Sequence, residues 1–312
     1  MQQLLNLNLF LSRHYGIEGE ITPLAGELDL NFKLLTAEGT TYLLKLYAPD
    51  REGDFIDFQA ALLEYINSQA VDFSPPKLIK TQQGAATALY IDSEGQKRKV
   101  QLLSWIAGHL WNHFWPQTLN LHKDLGVLCG QHTSALKEFN HDYAKRTFDW
   151  DIANVLWTKN HLKLFNSEEQ RLISKHLTQF EQLQGEYDTL QKSIVHNDAN
   201  DFNIILSEDL FASAVNGLID FGDAVYTQII NDLAVCCTYG IMGYEDPLEA
   251  AIPIVSGYHQ ACPIEEKALK YLYLCIALRL IISVTKSKLN RLEAPHSTYL
   301  QISDKAAWEL LK

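Results

Sequence analysis

The sequence predicts an α+β chain in two lobes, an antiparallel β-sheet with one packed helix followed by a mainly helical lobe. Three observations carry this. At 312 residues the chain has room for two domains, or for one large domain divided in two, at roughly 150 residues each. The first hundred residues have strand-like patterning, and from about Gly108 the apolar spacing becomes that of long helices. No internal repeat or Gly/Ser-rich linker separates the halves, so the boundary is placed at 104/105, and residues 1–104 and 105–312 are expected to meet around residues 103 to 108.

The opening MQQLLNLNLFLSRHYG has neither a basic leader nor a small-residue cleavage site, and reads as an amphipathic helix. Residues 21–24, 32–36 and 41–47 are strand-like, with Ala37-Glu38-Gly39-Thr40 as a hairpin turn between the second and third. Phe55, Phe58, Leu62, Leu63 and Ile66 have helical spacing over 54–69, and Pro75-Pro76 closes that segment. Strands follow at 88–91 and 100–106. The second half then predicts helices over 121–139, 168–184, 229–242, 248–260 and 265–289. A β-like island at 194–195, 204–207 and 215–219 interrupts them.

Composition narrows the function. The formal net charge of −12 works against a nucleic-acid partner, whose binding rests on counterion release by cationic side chains, and favours a cationic small substrate. Five cysteines without C-x-x-C spacing read as reduced thiols of a cytoplasmic protein, and no zinc site is expected. The apolar run 272–284 is too short to span a bilayer and contains Arg279, so no membrane association is expected.

The chemistry concentrates in the island. Asp198 lies in the loop after one short apolar run, Asn203 comes five residues later just before a second, and Asp220 ends a third. Oxygen-bearing side chains at strand ends suit Mg²⁺ with phosphates, because hard ligands that leave water positions open are what that ion requires. The arrangement points to metal-assisted phosphoryl transfer, with Asp198 accepting a hydroxyl proton and Asn203 and Asp220 holding magnesium.

The motif His196-x-Asp198-x4-Asn203, followed seventeen residues later by Asp220-Phe221-Gly222, resembles the catalytic and metal-binding motifs of the protein-kinase-like superfamily. More closely, the chain is similar to the aminoglycoside phosphotransferase and choline kinase family, and HNDANDFNIIL, LIDFGDAVY and LAGELDLNFKL resemble its hydroxylysine-kinase-like branch. The resemblance implies a bilobal protein-kinase-like fold with a nucleotide-binding N-terminal lobe, ATP as co-substrate with GTP also open, and His196, Phe221 and Gly222 as structural residues of the site. It also implies that Lys45 contacts the nucleotide phosphates. Alternation alone puts Lys45 on the face opposite Leu44 and Leu46, as either a solvated residue or a phosphate-binding one. By the same resemblance Gly26 and Asn31 belong to a nucleotide-facing loop, and Ser104, Trp105 and Ile106 to the segment that meets the base.

The chain departs from the family's pattern at two points. The polar residue on the inward stripe of helix 54–69 is Gln59 where an ion-pairing carboxylate is usual, which leaves Gln59, Asp57 or Glu52 as the partner of Lys45. Asn197 stands where glycine is common, and asparagine tolerates positive φ less well than glycine but better than most residues. Asp223 is either a second-sphere metal residue or a helix cap. His132, on an apolar helix face, reads as a packed core histidine.

Only eleven residues separate Asp220 from Asp232 and no Ala-Pro-Glu follows, so a peptide-docking platform has no room. The expected acceptor is a small hydroxylated amine, 5-hydroxylysine first, with homoserine, choline, ethanolamine or an aminoglycoside as alternatives. Asp201, Asp223, Trp150 and Asp151 are candidate contacts for its ammonium. The chain is expected to act as a monomer or homodimer. The rival reading is a kinase-like nucleotide-binding or regulatory module.

Overall fold

Leu34, Leu44 and Leu46 are buried while their neighbours along the strands are not, and this period of two sets the first sheet. A computed structural model describes residues 2–26, 28–209, 213–293 and 304–312, and the chain divides into two units, Met1–Ala107 and Gly108–Lys312. The first unit runs α1 (Gln2–Tyr15), β1 (Glu20–Leu24), β2 (Leu30–Leu35), β3 (Thr41–Leu46), α2 (Gly53–Ser68), β4 (Leu78–Ile79), β5 (Ala88–Ile91) and β6 (Lys97–Ser104). Its strands pair antiparallel in the order β1-β2-β3-β6-β4, with β5 also on β6. Leu7, Leu11 and Tyr15 of α1 pack with Leu34, Leu44, Leu46, Val100 and Leu102, so a second helix besides α2 contributes to this unit.

Cross-strand register places Asn31, Lys45 and Gln101 side by side on β2, β3 and β6, hence on one face. Strand β6 stops at Ser104, so Trp105 and Ile106, expected within the strand, lie beyond it.

The second unit comprises β7 (His109–Leu110), α3 (Leu119–Ala135), α4 (Ser167–Tyr187), β8 (Lys192–Val195), β9 (Ile204–Leu206), β10 (Val215–Leu218), β11 (Val225–Gln228), α5 (Ile229–Gly240), α6 (Pro247–Ala261), α7 (Glu266–Leu269), α8 (Leu272–Glu293) and α9 (Asp304–Leu311). Helices α3 and α6 meet backbone to backbone: a Cβ on Gly126 would lie 2.0 Å from Ile254 O, and one on Gly257 2.1 Å from Lys123 O. Helix α5 is buried along its whole length. The island forms two small sheets, β10-β9-β7 and β11-β8. The helix expected over 265–289 is broken between α7 and α8, and the 3₁₀ run Ile152–Leu164 had no periodic signal to announce it. All five cysteines are buried and free. Among the described residues no helix is long and apolar enough to cross a membrane.

Candidate active site

Strand pairing brings the motif residues of the second unit together. Leu218 of β10 is the register partner of Ile204 of β9, and Ile219 N donates to Asn203 O at 2.9 Å, so Asn203 at the start of one strand lies beside the chain leading to Asp220 at the end of the other. His196 ties the loops further: its Nε2–H donates to Ile219 O at 3.1 Å, and its Nδ1 accepts from Asp198 N at 3.2 Å. That bonding pattern is the neutral imidazole. Burial pushes its pKa down to about 4, against the opposing pull of Asp220. Phe221 packs its ring against His196 (4.7 Å) and His132 (5.8 Å), and His132 is a buried core residue bonded to Leu128 O.

Both oxygens of Asp198 are hydrogen-bonded. Oδ2 accepts from Asn200 Nδ2 (2.9 Å) and Asn203 Nδ2 (2.8 Å), and Oδ1 accepts from Arg279 Nη2 (2.9 Å). Burial raises the Asp198 pKa, and Arg279 is the strongest opposing influence. Asn203 also donates to Asp198 O at 3.0 Å, so its amide nitrogen is committed to Asp198 and its oxygen is the atom left for a metal.

Two non-glycine residues of this site have left-handed backbone, Asn197 at φ 64° and Asp220 at φ 61°. Asn197 N donates to Asp232 Oδ1 at 3.0 Å, while Asp232 Oδ2 accepts from Thr133 Oγ1 (2.8 Å) and Tyr258 Oη (3.2 Å). Asp220 Oδ1 accepts from Gly222 N at 3.2 Å and thereby caps the short 3₁₀ turn Phe221–Asp223. Arg146 donates to Ala224 O (2.8 Å) and Gly222 O (3.2 Å), and its guanidinium stacks on Tyr143 and Phe148. Asp223 is not the cap of a long helix. Its carboxyl pKa lies well above the usual range through burial and then through the charges of Asp198 and Asp220.

The remaining acceptor candidates are placed differently. Asp201 is half-buried near Asp198, and burial followed by the Asp198 charge raises its pKa. Asp151 is not exposed to a ligand: it is 4% accessible, caps the Ile152–Leu164 run through Ala153 N, and accepts from Thr227 Oγ1 at 2.8 Å. The ring of Trp150 already carries a cation, Arg279, at 4.7 Å.

In the first unit Lys45 does not take its partner from α2. Its Nζ lies 3.6 Å from Asp29 Oδ2, which also takes Arg51 Nη2 at 3.1 Å. Gln59 Oε1 instead accepts from Tyr47 Oη at 3.0 Å, so burial of Gln59 serves a polar cluster with Tyr47 and Gln101. The physical reason is loop geometry: Ala48 N binds Asp29 Oδ1, turning the carboxylate toward Lys45 before any residue of α2 is needed. Gly26 is a required glycine, since a Cβ there would lie 2.6 Å from Asp29 O and 2.8 Å from Asn31 Nδ2. Glu27 of this loop lies outside the described residues. Ser104 bonds Lys77 N through its hydroxyl, Ile106 is half-buried, and the Trp105 ring carries Lys33 Nζ at 5.4 Å.

Asp29, Arg146, Asp232 and Arg279 are the site residues that motif spacing did not single out. The only available signal was a lone charge inside an apolar helix, visible for Asp232 and Arg279.

Among the described residues no three His, Cys, Asp or Glu side chains are grouped to hold a metal by themselves. A divalent cation bound with phosphates needs only one or two protein oxygens, which Asn203 and Asp220 can supply. Burial first and then the neighbouring carboxylate charges, Asp220 for Asp198 and both Asp198 and Asp220 for Asp223, raise these pKa values; acidic groups gathered in this way beside the Asn203 amide oxygen are a donor set that fits such an ion.

Comparison with known proteins now defines the class. Residues 20–263 match the model of the phosphotransferase enzyme family known as APH, and the chain belongs to that family. Among its relatives, hydroxylysine kinase of Mus musculus is 23% identical over 94% of this chain and 84% of its own length, and that of Xenopus laevis is 23% identical over 96% and 86%. Among solved structures, a microcompartment-associated aminopropanol kinase aligns with TM-score 0.77 at 14% identity over 100% of this chain and 95% of its own. An amicoumacin kinase, solved in complex with AMP-PNP, Ca²⁺ and Ami, aligns with TM-score 0.72 at 16% identity over 99% of this chain and 92% of its own. The fold is thus that of protein-kinase-like small-molecule phosphotransferases, as the motifs predicted.

Proposed function

We propose that the protein transfers the γ-phosphate of ATP to a hydroxyl group of an amino acid or amino alcohol, with 5-hydroxylysine as the first candidate. The observation that carries this is the Asp198 carboxylate, fixed by Asn203 at 2.8 Å beside the loop that bears Asp220. Asp198 accepts the proton of the acceptor hydroxyl as the new P–O bond forms. Asn203 and Asp220 hold Mg²⁺, whose role when bound is to neutralise charge on the phosphates. In the first unit Lys45 is the residue for the nucleotide phosphates, with Gly26 and Asn31 in the adjoining loop and Ser104, Trp105 and Ile106 as the segment for the base. His196, Phe221 and Gly222 brace the loops. Asp201 and Asp223 are the acidic groups best suited to an acceptor ammonium, whereas Trp150 and Asp151 serve the protein's own Arg279 and the Ile152–Leu164 run.

The name of the relatives supports 5-hydroxylysine, and the aminopropanol kinase likeness keeps simple amino alcohols as the second choice. The test is ADP release with Mg-ATP and Mg-GTP against a panel of hydroxylated amines, run beside Asp198→Asn. Turnover with one acceptor that is lost in the variant establishes the reaction. Nucleotide binding without turnover on any acceptor would favour the regulatory-module reading instead.

A further inference from the structure

Helix α8 buries one charge, Arg279, in an otherwise uncharged run from residue 272 to 284, and the side chain is only 1% accessible. A guanidinium so placed is held by partners inside the protein. Nη2 donates to Asp198 Oδ1 at 2.9 Å and Nη1 donates to Trp150 O at 2.9 Å, while Nε is buried without a hydrogen-bond partner. Its plane lies over the ring of Trp150 at 4.7 Å and near that of Tyr239 at 5.5 Å. Trp150 is held in turn by Asp151, its neighbour in sequence, which Thr227 and Asn231 anchor. A planar, stacked and multiply bonded arginine has one orientation, and it hands that orientation to whatever it grips.

What it grips is the base. Asp198 Oδ2 has both lone pairs engaged, by Asn200 and Asn203, whereas Oδ1 has one lone pair taken by Arg279 and one remaining. The acceptor proton therefore has one acceptor position to enter. We infer that Arg279 is the positioning residue of this active site, clamping the Asp198 carboxylate so that the open lone pair of Oδ1 faces the acceptor hydroxyl. In the transfer the acceptor O–H bond breaks, its proton goes to Oδ1, and its electron pair forms the new bond to the γ-phosphorus as the bond from that phosphorus to the bridging oxygen breaks and ADP leaves with its electron pair. This inference rests on the proposed kinase reading but assigns a residue that reading does not use.

The test is a double-mutant cycle among wild type, Arg279→Met, Asp198→Asn and the double variant, with Arg279→Lys as the conservative replacement. Arg279→Met is expected to lower kcat by about 10²-fold, the scale of a roughly 1 Å misplacement, with the KM of nucleotide and of acceptor each within about threefold of wild type. Arg279→Lys should recover part of that loss, since it keeps the charge without the planar grip. The double variant should turn over as slowly as Asp198→Asn alone, because a positioning residue has nothing left to position. An equal loss on adding Arg279→Met in both backgrounds would overturn the inference, as would a loss confined to the acceptor KM, which would make the arginine an acceptor ligand. Arg279→Met leaves a buried carboxylate unpaired and is the variant most exposed to misfolding, whereas the double variant removes both charges and keeps the cycle readable through Arg279→Lys. If wild type phosphorylates no acceptor, the kinase reading falls separately. The inference is then judged by crystal structures of wild type and Arg279→Lys. Departure of the carboxylate from its bonds to Asn200 and Asn203 in the variant supports it, and an unchanged carboxylate overturns it.

Discussion

Lys45 in the sheet unit keeps its ammonium 3.6 Å from one oxygen of Asp29, an oxygen it shares with Arg51, and its side chain retains 12% accessibility. Asp198 in the helical unit has three donors on its two oxygens, all within 2.9 Å. The first arrangement is a cation in a loose pair, which in the proposed reaction a phosphate would replace. The second is a carboxylate whose geometry is fixed before any substrate arrives, and preorganisation of that kind is what lowers a barrier without reorganisation at the moment of reaction. Binding and chemistry are therefore expected to separate when the two residues are varied.

The largest effect belongs to Asp198. Asp198→Asn keeps the shape of the side chain, and it is expected to reduce kcat by roughly 10²–10⁴-fold while nucleotide affinity, read by titration calorimetry, stays near wild type. A comparable loss of nucleotide binding would erase the distinction between the units.

Asp232 shows how the helical unit maintains its geometry. It is buried at 1% and receives bonds from Asn197 N, Thr133 and Tyr258, so Asp232→Ala leaves Asn197 N and Thr133 Oγ1 without their acceptor, while Tyr258 Oη keeps Thr133 Oγ1 at 2.8 Å. We expect a loss of about 3 kcal/mol in urea unfolding. Its effect on nucleotide binding should be small. Lys45→Ala gives the opposite pattern: about 10–100-fold weaker nucleotide binding from the loss of charge-assisted phosphate bonds, with little change in unfolding free energy.

Much of this was legible in the sequence, and the limits have physical causes. Strand alternation gave the face of Lys45, though its role came only from the resemblance, because a period of two survives in any half-buried sheet. The spacing from Asp198 to Asn203 to Asp220 was readable because the site is made by short loops at the ends of adjacent strands, so residues near in sequence are near in space. Arg279 reaches Asp198 from 81 positions away, and no local pattern encodes that contact. Asp29 was passed over because the family's usual pairing directed the search for a partner of Lys45 to the helix that follows its strand, whereas the carboxylate comes from a loop before it. Trp150 and Asp151 were assigned to the acceptor on residue type alone, and their type serves equally well to hold an arginine and cap a turn.

Acidification should expose the helical unit through its buried histidines. Burial depresses the His132 pKa from the ordinary 6.5 to about 3, so between those values the unfolded chain binds a proton that the folded chain refuses. The resulting stability is fully present above pH 6.5 and is lost as pH falls toward 3. His132→Phe is expected to flatten the acid side of the stability curve by about 1 kcal/mol per pH unit between pH 6 and 4. An unchanged slope would mean that the histidine is not held neutral beside Phe221.

The smallest effect tests the residue that departs from the family's pattern. Asn197 has φ 64°, a conformation that glycine adopts without strain, and its side-chain Nδ2 and Oδ1 are both buried without a hydrogen-bond partner. Both features favour glycine, while the chain entropy of glycine and the space left by the amide oppose it, so Asn197→Gly is expected to lie within about 1 kcal/mol of wild type. The backbone bond to Asp232 survives this change, and kcat should therefore stay within about threefold. Asn197→Val meets the same φ with a β-branched side chain and should cost about 2 kcal/mol, displacing the loop that carries Asp198. If glycine and valine behave alike in stability and in kcat, the left-handed backbone at 197 does not set the position of the base, and the contrast between a preformed helical unit and an exchangeable sheet unit would have to rest on side-chain bonding alone.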